Sequence, residues 1–310
     1  MLVSSRYRLV TRSDFDGLVC AVLLKELDLI DDISFVHPKD MQDGVVPITD
    51  RDITTNLPYV DGAHLVFDHH ASETVRNEPR ENYIIDPAAP SAARVVYDFY
   101  GGPSAFSGIS EEMMAAVDKA DSAQFGLDEV IDPRGWVLLN FVMDARTGLG
   151  RFRSFRISNY DLMMQLIDAC RHHGIDDVLA LPDVAERVAL YREQEPRFRD
   201  QLGRCTTVVD NLAVVDLRDE EQVYAGNRFM VYALHPEVNI SMHVMQGKQQ
   251  QNIVMAVGKS IFNRTSKTDI GTLLLGYGGG GHANAGTCQV AHADADRVRQ
   301  ELVQRITADG

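Results

Sequence analysis

Leu9-Val-Thr-Arg-Ser-Asp-Phe-Asp-Gly-Leu-Val-Cys-Ala-Val-Leu-Leu-Lys-Glu-Leu27 decides how the amino-terminal half of the chain is read. Leu9-Val10 closes a short strand, Arg12 to Asp16 forms a polar turn, and Gly17 to Leu27 is an apolar helix. Working outward, Ile33 to Val36, Ile53 to Thr55, His64 to Phe67 and Tyr83 to Ile85 are further short strands. Ser91 to Tyr100 and Ser110 to Ala120 carry helical patterns between and after them. That alternation predicts a parallel or mostly parallel sheet covered by helices.

Ser110 suits a helix start, because its hydroxyl can cap free amides while Glu111 and Glu112 complement the positive end of the dipole. Beyond it, Arg134 to about Gly174 stays helical, and Val184 to about Leu202 reads as a charged connecting helix. Thr206 to Asp216, Phe229 to Leu234, Ile240 to Met245 and Ile253 to Val257 read as strands. The expected fold class is α/β: an amino-terminal, mostly parallel sheet flanked by helices, plus a smaller carboxyl-terminal mixed α/β domain. The expected divisions are 1–182, a connecting helix at 183–203, and 204–310.

Bulk properties narrow the partners. A chain of 310 residues exceeds the usual size of one hydrophobic core. With 45 acidic against 30 basic residues and a formal charge of −15, it is a poor partner for long duplex DNA, whose binding depends on counterion release to a basic surface. A short phosphorylated ligand stays open, because bound divalent cations reverse the sign of an acidic pocket locally. No apolar run approaches the span of a bilayer and the first ten residues lack a leader pattern, so the expectation is a cytoplasmic protein with no membrane partner. Cys20, Cys170, Cys205 and Cys288 have neither metal-ligand spacing nor a paired framework.

The chemistry concentrates in four places. Asp14 and Asp16 flank Phe15 just after the first strand, where open α/β sheets bind ligands, although acids there also cap the next helix. Phe67-Asp-His-His70 ends another strand, so an acid and two imidazoles emerge on the same sheet edge. Carboxylate and imidazole donors suit Mn²⁺, and the lack of nearby cysteines argues against a closed zinc site. Asp121, with Asp118 as its competitor, stands at a helix end whose dipole disfavours carboxylates unless a cation answers them. Gly278 to Gly281 followed by His282 allows close backbone approach to phosphate oxygens, and the upstream Arg264 offers a bidentate grip; the bland reading is a flexible loop.

In order, Asp14-Phe-Asp16, Asp68-His-His70, Asp121-Ser-Ala-Gln-Phe125 and Gly278-Gly-Gly-Gly-His282 resemble the motif series of the DHH phosphoesterase family with its DHHA1 carboxyl-terminal domain. The match runs over nearly the whole chain and points to the exopolyphosphatase-like subgroup. The resemblance implies a metal-dependent phosphohydrolase acting on a small phosphate ester, a short oligonucleotide or polyphosphate. By that resemblance Asp14, Asp16, His69 and Asp121 are metal ligands, Asp68 orients the site, and His70 contacts the scissile phosphate. Gly279, Gly280, Gly281, His282 and Arg264 bind the rest of the substrate, in a cleft between the domains. The cofactor is one or two Mn²⁺, with Mg²⁺ or another divalent ion as the alternative.

Two departures stand out. Where many relatives have a histidine four residues before the first motif aspartate, this chain has Val10. In the second motif the reading leans to Asp52 as a metal ligand, because a neutral amide bridges two cations poorly, although strand position favours Asn56. The rival expectation is therefore a non-catalytic binder of a phosphorylated ligand or metal with a degenerate shell. The sequence leaves the oligomeric state open, a homodimer included.

Overall fold

The computed structural model describes residues 6–152 and 154–310. Met1 to Ser5, the first half of the ten residues without a leader pattern, lie outside the described residues. No helix among the described residues is long and apolar enough to cross a membrane. The chain divides into two compact units, residues 1–124, 133–145 and 149–189 in one, and 125–132, 146–148 and 190–310 in the other.

The first unit carries β1 (Tyr7–Thr11), α1 (Phe15–Glu26), β2 (Ile30–Phe35), α2 (Pro38–Gln42), β3 (Asp52–Thr55), β4 (Leu65–Asp68), α3 (Ala71–Arg76), β5 (Tyr83–Ile85), α4 (Ala92–Phe99) and α5 (Glu111–Asp121). All five strands are parallel, in the order β2-β1-β3-β4-β5. The order reverses beside β1, so the crevice outside the carboxyl ends of β1 and β3 is the topological switch point of the sheet. Every residue of α1 from Phe15 to Leu24 is buried, because α4, α5 and a later helix cover it. An all-round apolar helix of this kind belongs in a core.

The tight turn into α1 explains Gly17. A Cβ there would lie 2.0 Å from the Arg12 carbonyl oxygen, a distance no side chain tolerates. Asp14 caps the helix by accepting from the Gly17 amide at 3.0 Å.

After α6 (Leu127–Ile131), the stretch read as continuously helical from Arg134 to Gly174 breaks in two: α7 (Gly135–Met143) and α8 (Asn159–His172). Among the described residues only short 3₁₀ turns lie between them, where Gly148 has a positive φ of 90°. The segment after the break is fastened by Arg187, 2% exposed, whose guanidinium donates to the Ile157 carbonyl and lies 4.2 Å above the Phe155 ring. Then come α9 (Ile175–Ala180) and α10 (Pro182–Cys205).

The second unit is a six-stranded mixed sheet ordered β10-β11-β9-β8-β7-β6. Its elements are β6 (Thr206–Val209), β7 (Leu212–Asp216), α11 (Met230–Leu234), β8 (Ile240–Gln246), β9 (Ile253–Lys259), α12 (Ile270–Leu275), β10 (Gly280–His282), β11 (Ala285–Val290) and α13 (Ala295–Asp309). Thr206 to Asp216 is a hairpin rather than one strand, turned at Asp210 with φ of 52°. Phe229 to Leu234, read as a strand, is the short helix α11; an apolar run this short fits either period, and Tyr232 is held by hydrogen bonds to Ser241 and Gly258. Alternate residues Ile240, Met242 and Val244 pack with Met255, Leu274, Val298 and Leu302.

Candidate active site

Asp14, Asp16, Asn56, Asp68, His69 and His70 all follow or end strands β1, β3 and β4 at the carboxyl edge of the first sheet, and Asp121 ends α5. Asp16, His69 and Asp121 each offer a ligand atom within 4.8 Å of the others. His69 Nε2 lies 2.9 Å from Asp121 Oδ2. These three residues stand far apart in the sequence, and the parallel topology gathers them.

Asp16 is 2% exposed, and its two oxygens accept from the amides of Ala92 at 3.0 Å and Ala93 at 2.8 Å, the first turn of α4. Each oxygen keeps acceptor capacity beyond that bond. Burial first, and then the charge of Asp121, push the Asp16 carboxyl up to about 8. Burial pulls the His69 imidazole down, but its contacts with Asp121 and Asp16 outweigh this and raise it to about 9. Burial pushes the Asp121 carboxyl up, and His69 overrides it to hold the group below its ordinary range. Without a cation, protons on Asp16 and His69 supply the positive charge that this cluster demands.

The donor set fits a divalent ion. His69 Nδ1 faces the Ala89 carbonyl at 3.2 Å, the arrangement by which a ligating histidine is oriented and its tautomer set. Nε2 is buried without an aligned hydrogen-bond partner, as is Asn56 Oδ1. Buried polar atoms left so are costly unless something else satisfies them. Carboxylate and imidazole donors with no thiolate suit Mn²⁺ or Mg²⁺.

Asp68 is fully buried and is not one of the three clustered residues; its Oδ1 accepts from the amides of His69 at 2.8 Å and His70 at 3.3 Å and lies 2.7 Å from His70 Nδ1. Tyr83 donates to its other oxygen at 3.5 Å. Burial lowers the His70 imidazole and Asp68 more than compensates, so its net shift is upward. A proton is thereby kept on Nδ1, and Nε2 becomes the edge that can meet a phosphoryl oxygen.

Two competing assignments separate here. Asp52 begins β3, at the opposite end from the cluster, where it receives Arg8 Nε at 2.7 Å and the Thr49 amide at 2.7 Å. Asn56 instead follows β3 at the cluster's edge and donates to Asp14 at 3.2 Å. Asp52, expected as a ligand, thus lies away from Asp16, His69 and Asp121, and Asn56 is the residue that β3 carries to their edge. Asp118 is spent on Arg94, at 2.6 Å and 3.0 Å, and on Ser91 at 2.8 Å, so the structure does not bring it to His69. Asp14 also stands outside the cluster and pairs with Arg12 Nε at 3.0 Å. Arg12, the Ala89 carbonyl and the Ala92 and Ala93 amides went unseen as site groups in the sequence; only Arg12 left a signal there, a cation inside an acidic turn.

In the second unit the glycine run passes from a turn at Gly278 into strand: Gly280 and Gly281 belong to β10, which pairs antiparallel with β11, Gly281 opposite Gly286 and His282 opposite Ala285. A Cβ on Gly281 would meet the Ala285 carbonyl at 2.3 Å, and one on Gly271 would meet the Gly281 carbonyl at 2.7 Å, so the hairpin and α12 close on each other through glycines. Gly279 is equally hemmed in, by the Thr287 carbonyl, whereas Gly280 has open space. Arg264 lies in the turn after β9, with Nε donating to the Ile261 carbonyl at 3.0 Å. His282 is exposed, and both residues sit at the same end of this sheet, where Lys259 pairs with Asn284.

Among solved structures the chain is similar to a pGpG-specific phosphodiesterase, PggH from Vibrio cholerae, at 65% identity and a TM-score of 0.87, covering 98% of this chain and 100% of that one. RecJ from Thermus thermophilus in complex with Mn²⁺ matches at 14% identity and a TM-score of 0.58, over 98% of this chain and 52% of that one. The same protein with Mg²⁺ matches at a TM-score of 0.52, 14% identity, over 98% and 50%. At that distance the likeness to RecJ is one of fold. No family profile and no curated protein sequence matches the chain.

Proposed function

The chain belongs to the DHH phosphoesterase family and is a metal-dependent phosphohydrolase, and from that premise we propose that it hydrolyses a linear guanine dinucleotide, pGpG or a close analogue, to mononucleotides. The observation that carries the substrate is the 65% identity, over essentially both whole chains, to a pGpG-specific phosphodiesterase. An acidic chain of net charge −15 favours such a short phosphate ester over a long polyanion.

Asp16, His69 and Asp121 would hold the divalent ion, for which Mn²⁺ suits the donor set. Such an ion supplies a water of lowered pKa as nucleophile and neutralises phosphoryl charge. Asp68 holds the His70 imidazole at 2.7 Å, so that Nε2 can donate to a non-bridging oxygen as charge builds there. The Ala92 and Ala93 amides keep the Asp16 carboxylate in place, which limits reorganisation. In the second unit, Arg264, His282 and the open face at Gly280 are proposed to bind nucleotide phosphate or base. Water adds to the bridging phosphorus, the P–O3′ bond breaks, and the departing ribose oxygen takes up a proton, which leaves two mononucleotides.

The test is product analysis with and without Mn²⁺ on linear pGpG, a cyclic dinucleotide, a short oligoribonucleotide, a 3′,5′-bisphosphonucleotide, pyrophosphate and short polyphosphate. Metal-dependent release of guanine mononucleotide from pGpG, faster than any other turnover and lost in Asp16→Ala, is the expected outcome. Preferred release of inorganic phosphate from pyrophosphate or polyphosphate would overturn the substrate assignment.

A further inference from the structure

The edge between β1 and β3 holds a second cluster of charges next to the metal ligands, and there the chain answers its own carboxylate. Asp14 receives Arg12 Nε at 3.0 Å, Asn56 Nδ2 at 3.2 Å and the Gly17 amide at 3.0 Å. Val10, four residues earlier, is apolar and fully buried in β1, so that position brings no ligand. Asn56 is 1% exposed, and its neutral amide brings no charge with which to bridge two cations. A second ion here would have to displace a guanidinium and would gain one carboxylate for two positive charges.

We infer that the centre is built for one tightly held divalent ion, on Asp16, His69 and Asp121, and that the Arg12 guanidinium, fastened to Asp14, supplies the neighbouring positive charge and grips a phosphoryl oxygen. This rests on the metal-dependent phosphohydrolase reading, and not on the guanine dinucleotide. A paired-metal site clamps the attacking and leaving oxygens with two ions. A guanidinium delivers permanent charge to the same place and, being planar with several donors, can serve a carboxylate and a phosphate together. With Nε on Asp14, the Nη groups complete the fork. The side chain is 38% exposed, within reach of an incoming substrate, and its charge is also felt at Asp121, where it helps hold that carboxyl down.

The test counts metal on the full chain by equilibrium dialysis against Mn²⁺ and elemental analysis, with electron paramagnetic resonance to detect coupled ions. The wild type and Asp14→Asn are each expected to hold one ion per chain with no exchange coupling, and Asp16→Asn none. Two tight or coupled ions in the wild type, or loss of the ion in Asp14→Asn, would overturn the single-ion centre. Inorganic phosphate, the moiety shared by all the candidate substrates, is then titrated into the Mn²⁺-loaded chain. Arg12→Ala is expected to bind it about tenfold or more weakly, the loss typical of a charge-assisted hydrogen bond, with the metal count unchanged. Equal phosphate affinity in that variant would overturn the role of Arg12. Failure to cleave pGpG, with these counts and affinities as expected, would sink the dinucleotide reading alone.

Discussion

The His70 imidazole meets the fully buried Asp68 carboxylate at 2.7 Å, and the same oxygen takes two backbone amides. Asp68 thus spends itself on aiming a neighbour. Asp68→Asn keeps an acceptor for the amides but weakens the hold on the imidazole tautomer. Turnover is expected to fall roughly 100-fold with KM and metal content little changed, the range for a misplaced acid or base. A matching loss of metal on elemental analysis would show instead that Asp68 is a ligand.

Asp52 makes a different prediction because it sits at the far end of β3, paired with Arg8 and 2% exposed. Asp52→Ala leaves a part-buried guanidinium without its partner. The variant is expected to lose about 1–3 kcal/mol of stability, read from the denaturant midpoint, while keeping its metal and its activity. Loss of metal in a folded Asp52→Ala protein would return this residue to the site.

The metal-free chain should grow less stable as pH rises. Asp16, raised to about 8, and His69, raised to about 9, bind protons in the folded state that the unfolded chain gives up. Their stabilisation is complete below the unfolded values and declines through each folded value: for Asp16 from the ordinary carboxylate range to about 8, for His69 from the ordinary imidazole range to about 9. Metal replaces these protons, so its uptake releases them. Melting curves in chelator and in Mn²⁺ should draw apart from about pH 6 to pH 8.5; curves that converge would contradict this.

Gly271→Ala tests the seam of the second unit. The added methyl would stand 2.7 Å from the Gly281 carbonyl oxygen, so α12 must move off β10 or the strand must shift. A cost of about 1–3 kcal/mol is expected, with weaker substrate binding and an unchanged metal count. Wild-type stability in this variant would mean that the contact yields easily.

Much of this was legible. The turn Arg12 to Asp16 between a strand and an apolar helix predicted the first βα unit, and Asp68-His-His70 at a strand end predicted the edge where β4 brings His69 beside Asp16 and Asp121. Asn56 against Asp52 was not decidable from composition, because one favours charge and the other register; only the pairing of Thr54 with Val10 and Val66 shows which end of β3 meets the site. The Arg134 to Gly174 pattern hid its break, since apolar residues at helical spacing resume after Ser158. Backbone partners such as the Ala89 carbonyl carry no side-chain signature at all.

Asp16 rides on α1 yet holds the first two amides of α4, 76 and 77 residues further along. Those amide protons therefore report on occupancy of the centre without any reporter group being added. Deuterium should enter at Ala92 and Ala93 more slowly when the carboxylate is pinned on both sides, by helix and by ion, than when it is left to the helix alone. Alanine, the side chain with the least to say chemically, becomes the gauge by which loading of the protein can be read.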